Sequence, residues 1–475
     1  MPENGSELVF PSGSGALEND ISGFAPKAIT FGAGIGETTI SGYAISGVLA
    51  VTNLSESVQT FSNEVAFAGV YRAYCASDTG FVKFPGGATA SYPDASLRTT
   101  TGTIASRTLD GNFTFTADWT IGNVGNDNYP WIVASGANVT GKALTGTEER
   151  QMFQVDEGGY ACFTTVAVGK TKGNISVNGT LEATESISVG VSGQHANFGK
   201  TGDTGTVMAP VIKKVDGYSV YCYIPNLIAG SGGVGAAHKD YVWQFQQDTT
   251  ITATDDFDFL GVLNGFDWGL GFNGHTVTMN VPEGLTVTFG VGENENAGIL
   301  RKTGAGTLVM SDTFDGQSGF VKAYTGGTTV EGGTLKVLAN GMPASGTVTF
   351  HAGTTLAVPG DAPVALGSAL AFEGDGQVKL VIGDGSTLAD GDYPVLSTTG
   401  TLPTGFATTL ALQNATASAA RLYSTDGRTL RLAVGEVAAV YYGIDILLLE
   451  VFKRGGEIFV RPVAAGATAR AMHRP

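Results

Sequence analysis

Two short phrases of nearly the same sequence constrain the fold of this chain more than any other feature. GTLVM begins at Gly306 and GTLKV begins at Gly333, and similar phrases begin at Gly284 and Gly353. The spacings between these glycines are 22, 27 and 20 residues. A period in the low twenties is typical of solenoids, in which each repeat forms one coil that stacks on the next.

The segments between these glycines read as short strands and turns. Alternating runs of four to six residues end at Gly, Asn or Asp, a pattern that predicts strands with turns. Glycine supplies 70 of the 475 residues, and only 15% of residues are charged. Because threonine and valine favour pleated strands, we expect an all-β fold. A parallel β-helix (solenoid), with leucine and valine inside and threonine, serine and lysine outside, satisfies the spacing best.

The regularity and the composition of the sequence change twice along the chain. Residues 1–250 are less regular and richer in aromatic residues, which predicts either coils with longer insertions or a distinct β module. Residues 251–436 are predicted to form a regular β-helix. Residues 437–475 contain two apolar strands joined at Gly455-Gly456 and then a small-residue tail. A C-terminal capping hairpin there would hide the apolar end of the solenoid from water.

A longer motif surrounds the two opening phrases. KTGAGTLVMS occupies Lys302–Ser311, YTGGTTV occupies Tyr324–Val330, and GGTLKV occupies Gly332–Val337. These three parts, in this order, resemble the passenger-associated transport repeat of bacterial autotransporters, also called the autotransporter-associated β-strand repeat. The extra segment Phe314–Lys322 is longer than the asparagine-rich link usual in that family. It predicts a loop insertion on one coil that leaves the strand register intact.

The resemblance implies a right-handed parallel β-helix exposed on, or released from, a bacterial cell surface. In that family the repeat is thought to assist secretion of the passenger across the outer membrane. We therefore expect a passenger-like protein with a structural, display or adhesion role, located extracellularly or at the cell surface. The N-terminus MPENGSELVFPSGSG shows no export signal, and no apolar run is long enough to span a bilayer.

The charge balance restricts the partners. The chain carries 43 acidic and 26 basic residues, for a net charge of −17. Such a chain repels nucleic acid and anionic membranes. The expected partners are surface glycans or proteins of a host or neighbouring cell, with the chain itself a monomer that does not insert into a membrane and needs no cofactor.

A carbohydrate-active enzyme is the main alternative. Pectinase-like β-helix hydrolases use paired carboxylates and a downstream Gly-His, and here Asp255-Asp256 precedes Gly274-His275 by about one coil. The further Asn-Thr-Asp and Arg-x-Lys partners of such hydrolases are missing, so we predict no catalytic residues. A hydrolase or lyase would need these side chains to converge in one open cleft.

Metal ligands are sparse in the sequence. Asp375, Asp384, Asp390 and Asp392 follow one another in turns and could offer oxygen atoms to calcium. Asp-Gly is also a favoured turn dipeptide, so we predict no metal site there. The remaining histidines lie far from one another and from any cysteine, which disfavours zinc: His195, His238, His351 and His473.

Cysteine and the large aromatic residues give two further expectations. Cys75, Cys162 and Cys222 form no C-x-x-C pair, allow at most one internal disulfide, and are predicted to be buried and structural. Exposed aromatic rings would favour a glycan-binding module, whereas buried rings would only fill the interior. The aromatic residues in question are Trp119, Trp131, Trp243, Trp268, Tyr71 and Tyr218.

Overall fold

Side chains in most strands alternate between the interior and the surface. In the strand Thr206–Lys214, Val207 and Ala209 are buried, while Thr206 and Met208 are partly exposed. Successive side chains of a strand point to opposite faces of its sheet, so each strand turns one face to the core. The all-β fold expected from the threonine- and valine-rich runs is confirmed.

The computed structural model describes residues 2–94, 97, 105–121, 130–146, 151–168, 174–190, 196–214, 219–236, 242–259, 270–290, 297–311, 313–314, 317–318, 322, 324–343, 345–360, 362–366, 369–383, 388–403, 406–410, 420–434, 449–454 and 457–462. The chain divides into two compact units, Met1–Thr249 (unit 1) and Thr250–Pro475 (unit 2). Within the described ranges, the helical structure is a single 3-10 turn, Ala105–Arg107.

Unit 1 begins with two long strands and several short ones, and long and short strands alternate from Asn138 onward. Its strands are β1 (Glu7–Asn19), β2 (Ala28–Gly42), β3 (Ile45–Val48), β4 (Ala50–Asn53), β5 (Gln59–Phe61), β6 (Val65–Phe67), β7 (Ala73–Cys75), β8 (Val82–Ala90), β9 (Thr108–Phe115), β10 (Trp119–Ile121), β11 (Trp131–Val133), β12 (Asn138–Gly146), β13 (Gln151–Val155), β14 (Tyr160–Val168), β15 (Asn174–Val177), β16 (Thr180–Val189), β17 (Ala196–Phe198), β18 (Thr206–Lys214), β19 (Ser219–Cys222), β20 (Asn226–Ala236) and β21 (Val242–Phe245).

Two parallel ladders run through unit 1. The long strands β9, β12, β14, β16, β18 and β20 pair one with the next, all in parallel. The short strands β11, β13, β15, β17, β19 and β21 form the second ladder in the same way. Each coil between β11 and β21 therefore contributes one long and one short strand, which is the parallel solenoid predicted from the sequence.

The long strands turn a corner without ending. In β14, Ala161 and Phe163 point inward, Thr164 and Thr165 both lie at the surface, and Val166 points inward again. The pairing of β14 with β16 shifts register at this place. Two consecutive outward-facing residues shift the inward and outward alternation by one residue. A single strand therefore contributes to two faces of its coil.

Aromatic rings fill the interior of unit 1. Phe61 and Phe84 stack with their centroids 5.2 Å apart. Trp119 contacts Trp131 edge-on at 5.5 Å and Phe153 at 5.7 Å. These rings are nearly inaccessible to water, so the aromatic residues of this half belong to its core.

Unit 2 consists mostly of short strands. Its strands are β22 (Thr249–Ala253, beginning on the last residue of unit 1), β23 (Phe257–Asp258), β24 (Leu270–Gly271), β25 (Thr276–Asn280), β26 (Thr286–Phe289), β27 (Ile299–Thr303), β28 (Thr307–Met310), β29 (Thr313–Phe314), β30 (Gln317–Ser318), β31 (Thr328–Val330), β32 (Thr334–Val337), β33 (Thr347–His351), β34 (Thr355–Val358), β35 (Val364–Ala365), β36 (Ala369–Glu373), β37 (Val378–Ile382), β38 (Gly391–Ser397), β39 (Phe406–Leu410), β40 (Ala420–Tyr423), β41 (Thr429–Val434), β42 (Leu449–Arg454) and β43 (Glu457–Pro462).

Unit 2 also contains two parallel ladders. One joins β25, β27, β31, β33 and β36, and the other joins β23, β26, β28, β32, β34, β37 and β39. A column of aliphatic side chains, each fully buried, runs along the second ladder from one strand to the next. We call it the leucine column: Val287, Leu308, Leu335, Leu356 and Leu380.

The last strands of unit 2 change to antiparallel pairing. β42 pairs with β43 from Leu449 opposite Pro462 to Arg454 opposite Glu457. β43 in turn pairs antiparallel with β39, the last strand of the parallel ladder. The predicted C-terminal hairpin is confirmed, and it covers the ladder edge that would otherwise be open. The right-handed sense of the coil and the predicted boundaries at residues 250 and 436 stay predictions.

Candidate functional site

The two opening phrases lie side by side on neighbouring coils. β28 pairs in parallel with β32, with Thr307 opposite Thr334 and Leu308 opposite Leu335. Both leucines are fully buried, and both threonines are partly exposed. The repetition in the sequence is therefore a repetition in space, as the solenoid interpretation predicted.

Two glycines allow these coils to approach each other. Gly333 has a φ of +65°, and a Cβ atom there would lie 2.3 Å from the carbonyl oxygen of Gly306. A Cβ atom at Gly306 would lie 2.1 Å from the carbonyl oxygen of Pro282 on the preceding coil. Only glycine fits the left-handed backbone and the close contact together. The glycines of the Gly-Thr-Leu phrases are thus required by packing.

Lys302 joins the first and third parts of the motif. Its side chain is fully buried, and its Nζ donates hydrogen bonds to the carbonyl oxygens of Thr303 at 2.7 Å, Gly304 at 2.8 Å and Gly332 at 3.1 Å. Two of these carbonyls belong to its own coil and the third to the next coil. We call this arrangement the Lys302 clamp.

The chemistry of the clamp suits an ammonium group. A lysine ammonium has three N–H donors, and three carbonyl oxygens surround the Nζ of Lys302. Burial lowers the pKa of Lys302 to about 8, since the charged form loses its hydration. The clamp therefore holds a charge where desolvation disfavours it, and the hydrogen bonds to the carbonyls offset part of that cost.

The second part of the motif contributes a buried tyrosine. Tyr324 is inaccessible to water, its hydroxyl lies 2.7 Å from the Oγ1 of Thr328, and its ring stacks on Phe272 with centroids 5.2 Å apart. A buried phenol needs a hydrogen-bond partner, and the threonine four residues later supplies one. The Tyr-Thr-Gly-Gly-Thr phrase thus carries its own polar partner into the interior.

The predicted loop insertion departs from the coil between the first two parts. β29 and β30 form a short antiparallel pair, while the register of β28 against β32 is undisturbed. Lys322, at the end of the insertion, is buried, donates from its Nζ to the carbonyl oxygen of Ser311 at 2.6 Å, and lies 5.6 Å from the ring centroid of Phe289. The insertion returns to the coil through this buried lysine.

One ion pair lies on the outer surface of the same coils. Arg301 donates from Nε and Nη2 to the two carboxylate oxygens of Glu331 at 2.7 and 2.6 Å. The carboxylate beside it raises the pKa of Arg301. The pair is bidentate but partly exposed, so its contribution to stability is expected to be below about 1 kcal/mol.

The structure gives both aspartates of the enzyme alternative a local role. Asp255 accepts from the backbone N–H of Asp256 at 2.8 Å, and the Asp256 carboxylate accepts from the N–H of Thr286 at 2.6 Å. These aspartates precede β23, whereas His275 precedes β25 in the other ladder. The hydrogen bonds are those of turns that connect one coil to the next.

The candidate calcium ligands do not form a group where they are described. Asp375 and Asp390 are exposed, and Asp384 lies outside the described residues. Asp392 is already engaged by Arg431, with 3.1 Å between the carboxylate and Nη2. Across the described part of the chain, no cluster of three histidine, cysteine or acidic side chains could hold a metal ion.

Of the four remaining histidines, His351 lies within the described residues. Nε2 of His351 lies 3.3 Å from a carboxylate oxygen of Glu373 on the neighbouring strand β36. His195, His238 and His473 lie outside the described residues. The described contact is a cross-strand pair on an exposed face, a common feature of sheets.

The three cysteines are thiols in the structure. Cys75 and Cys222 are buried and Cys162 is half-buried. Burial raises the pKa of the Cys75 and Cys222 thiols to about 12 and raises the pKa of Cys162 as well. Such thiols stay protonated and react slowly at neutral pH, which suits a structural role.

Four of the six aromatic residues proposed for sugar stacking are described, and these four lie in the core. The four that are described have at most 3% of their surface exposed: Trp119, Trp131, Trp243 and Tyr71. Trp268 and Tyr218 lie outside the described residues. Glycan binding through the four described rings is excluded, because a buried ring offers no face to a sugar.

The role of Lys302 was not predicted from the sequence, although one signal indicated it. Along β27, Leu300 points inward, Arg301 outward and Lys302 inward. Strict alternation in a strand therefore placed a lysine in the core, and a buried lysine needs partners. Its acceptors could not be foreseen, since Gly332 is 30 residues away.

Comparison with known proteins identifies the same segment. A sequence model of the family described as passenger-associated-transport-repeat matches residues 300–337. No curated protein and no solved structure matched the chain. No helix within the described residues has the length and apolarity to cross a membrane. The matched residues contain the stacked phrases and the Lys302 clamp, and together with the parallel β-solenoid they fit an autotransporter passenger domain that carries this repeat.

Proposed function

We propose that this chain is the passenger-like part of a bacterial surface or secreted protein, in which the solenoid serves a structural, display or adhesion role and residues 300–337 assist secretion. The repeat family implies secretion to the cell surface. The observation that carries the proposal is the stacking of all three motif parts on adjacent coils, held by the Lys302 clamp.

The geometry suggests how the repeat would assist. A solenoid gains stability as each coil stacks on the one before it, so folding can begin at one coil and spread. The repeat provides a coil contact with close glycine packing, a fully buried leucine pair and three hydrogen bonds donated by one ammonium. Such a contact is suited to start folding once the segment has left the membrane.

The role is proposed to be non-catalytic. Asp255 and Asp256 accept hydrogen bonds from backbone N–H groups of turns. These contacts support scaffold roles for the carboxylates that an enzyme would have used.

The test compares two glycine variants. Both Gly333 and Gly353 have positive φ, but a Cβ atom at Gly333 collides with the preceding coil whereas one at Gly353 meets nothing within 4 Å. The chain is fused between an export signal and an autotransporter translocator barrel in a Gram-negative host. Surface exposure is measured by protease accessibility and antibody labelling of intact cells.

We expect Gly333→Ala to lower the surface-exposed fraction several-fold and Gly353→Ala to lower it little. Equal secretion of the Gly333→Ala variant and the unmodified chain would contradict a role for the repeat in secretion. A thermal melt of both purified variants shows whether either substitution causes a general loss of folding. Left-handed backbone strain is common to both substitutions, so it does not account for a difference in secretion between them.

A further inference from the structure

We propose that a polar groove in unit 1, across β1, β2, β5 and β8, binds a stretch of neutral polysaccharide. The groove has a volume of about 580 Å³, which falls within the ~300–1,000 Å³ of typical ligand sites. The inference is independent of the secretion repeat, which lies in unit 2. The residues that line the groove are Gly15, Ala16, Glu37, Thr38, Thr39, Val58, Thr60 and Lys83.

A single register column forms one side of the groove. Ala16 lies opposite Thr39, Thr39 opposite Thr60, and Thr60 opposite Lys83. Paired strands are about 4.8 Å apart, so two hydroxyls and one ammonium follow one another at a regular interval. A ligand built from repeating polar units would meet a polar side chain at three successive steps, Thr39, Thr60 and Lys83.

The ends and wall of the groove add charge of both signs. The Lys83 ammonium lies 2.8 Å from the Oδ2 of Asp110, which accepts one of its three N–H donors. Glu37 is exposed and supplies carboxylate oxygens as acceptors. Hydroxyl, ammonium and carboxylate groups together match sugar hydroxyls, which both donate and accept hydrogen bonds.

The backbone of the groove disfavours a peptide. β2 pairs with β1 on one side and with β5 on the other, and β5 also pairs with β8. Extended peptides bind sheets by adding a strand to an open edge, and β2 and β5 have no open edge along the column. A polyhydroxylated chain needs only the side chains that the groove presents.

The charge of the chain selects among polysaccharides. A net charge of −17 and the exposed Glu37 disfavour uronic or sulfated polymers. No aromatic ring is among the lining residues, so binding depends mainly on hydrogen bonds. We therefore expect a dissociation constant on the order of 1 mM for a hexasaccharide.

The experiment titrates the full chain with neutral hexasaccharides. The probes are β-1,4-linked glucose, α-1,4-linked glucose and N-acetylglucosamine oligomers, detected by saturation-transfer NMR of the sugar protons. Thr39→Val and Thr60→Val remove one hydroxyl each with little change in shape or strand preference. Each should weaken binding by about five-fold, the equivalent of one hydrogen bond.

Two controls keep the result specific. Thr60→Ser retains the hydroxyl and should bind as the unmodified chain does. Thr349→Val removes a partly exposed hydroxyl on β33 of unit 2 and should leave binding unchanged. Absence of saturation transfer at about 10 mM sugar, or equal affinity of the Thr39→Val, Thr60→Val and unmodified chains, would overturn the proposal. Stronger binding of an extended peptide that displaces the sugar would overturn the choice of ligand.

Discussion

Unit 1 and unit 2 form the same kind of parallel ladder from different side chains. Unit 1 fills its coils with rings in contact, such as Phe84 with Phe113 and Trp119 with Phe153. Unit 2 repeats one aliphatic column and adds a buried lysine with its carbonyl partners. The comparison shows that stacking requires inward apolar volume and matched register, but not one particular residue at each place.

The difference also explains why only one unit shows a repeat in its sequence. In unit 2 the same residue recurs in register, as Leu308 and Leu335 do. In unit 1 the equivalent places hold different residues, for example Phe113, Val139 and Ala161 along one column. Because the side chains along such a column differ in size, the side chains of neighbouring columns must differ as well to keep the interior filled. No simple sequence motif therefore recurs from coil to coil.

The largest effect is expected from truncating an aromatic residue in unit 1. Trp119→Ala should lower the free energy of unfolding of unit 1 by about 4 kcal/mol, because a large, fully packed side chain is replaced by a cavity. Hydrogen exchange of the amides in β10 to β12 measures it. Trp119→Phe, which keeps most of the ring, should cost much less. A loss below about 1 kcal/mol for Trp119→Ala would show that the ring contacts are not essential.

A smaller effect is expected in the leucine column of unit 2. Leu335→Ala should cost about 3 kcal/mol, whereas Leu335→Ile should cost less than about 1.5 kcal/mol because volume is conserved. Urea unfolding, followed by exchange of the amides in β28, β32 and β34, measures both. Equal costs for the two substitutions would mean that the column depends on the shape of leucine rather than on its volume.

The smallest effect concerns the Lys302 clamp, and it depends on pH. The pKa of Lys302 falls from its ordinary value of 10.5 to about 8 on folding. Between these values the unfolded chain binds the proton more tightly, so the stability of the unmodified chain relative to Lys302→Met should rise as pH increases from 8 to 10. The carbonyl hydrogen bonds favour the ammonium, so we expect a gain of about 1–2 kcal/mol.

The measurement is urea unfolding at intervals between pH 7 and pH 10.5, the window set by the lowered pKa and the ordinary value. Lys379→Met, which removes an exposed lysine on β37, is the matched control. The lowered pKa would be contradicted if the free energies of unfolding of Lys302→Met and Lys379→Met changed with pH in the same way. It would also be contradicted if the stability of the unmodified chain relative to Lys302→Met fell as pH rose.

Much of the fold could be predicted from the sequence because solenoid contacts are nearly periodic. The spacing of Gly306 and Gly333 gave the neighbouring strands directly, since β28 and β32 pair at that interval. The identity of hydrogen-bond partners could not be read in the same way. Asp392 meets Arg431 across 39 residues, where the pairing is antiparallel and the period no longer applies.

The groove of unit 1 shows the other limit of sequence reasoning. Thr39, Thr60 and Lys83 lie in unlike phrases, at intervals of 21 and 23 residues, and nothing in those phrases marks them as neighbours. Only the register of three strands brings them into one column. The aromatic residues were candidates for sugar stacking, but the described ones are buried and fill the core.

The parallel ladders have a consequence for the kinetics of folding. Paired residues are separated by about one coil, as in the 27 residues between Leu308 and Leu335, so each new contact closes only a short loop. The entropy lost in closing a loop grows slowly with its length, and low contact order favours rapid folding. The cost of adding a coil is therefore almost independent of how many coils have already formed. A chain of this kind can gain stability in steps while most of its length is still extended.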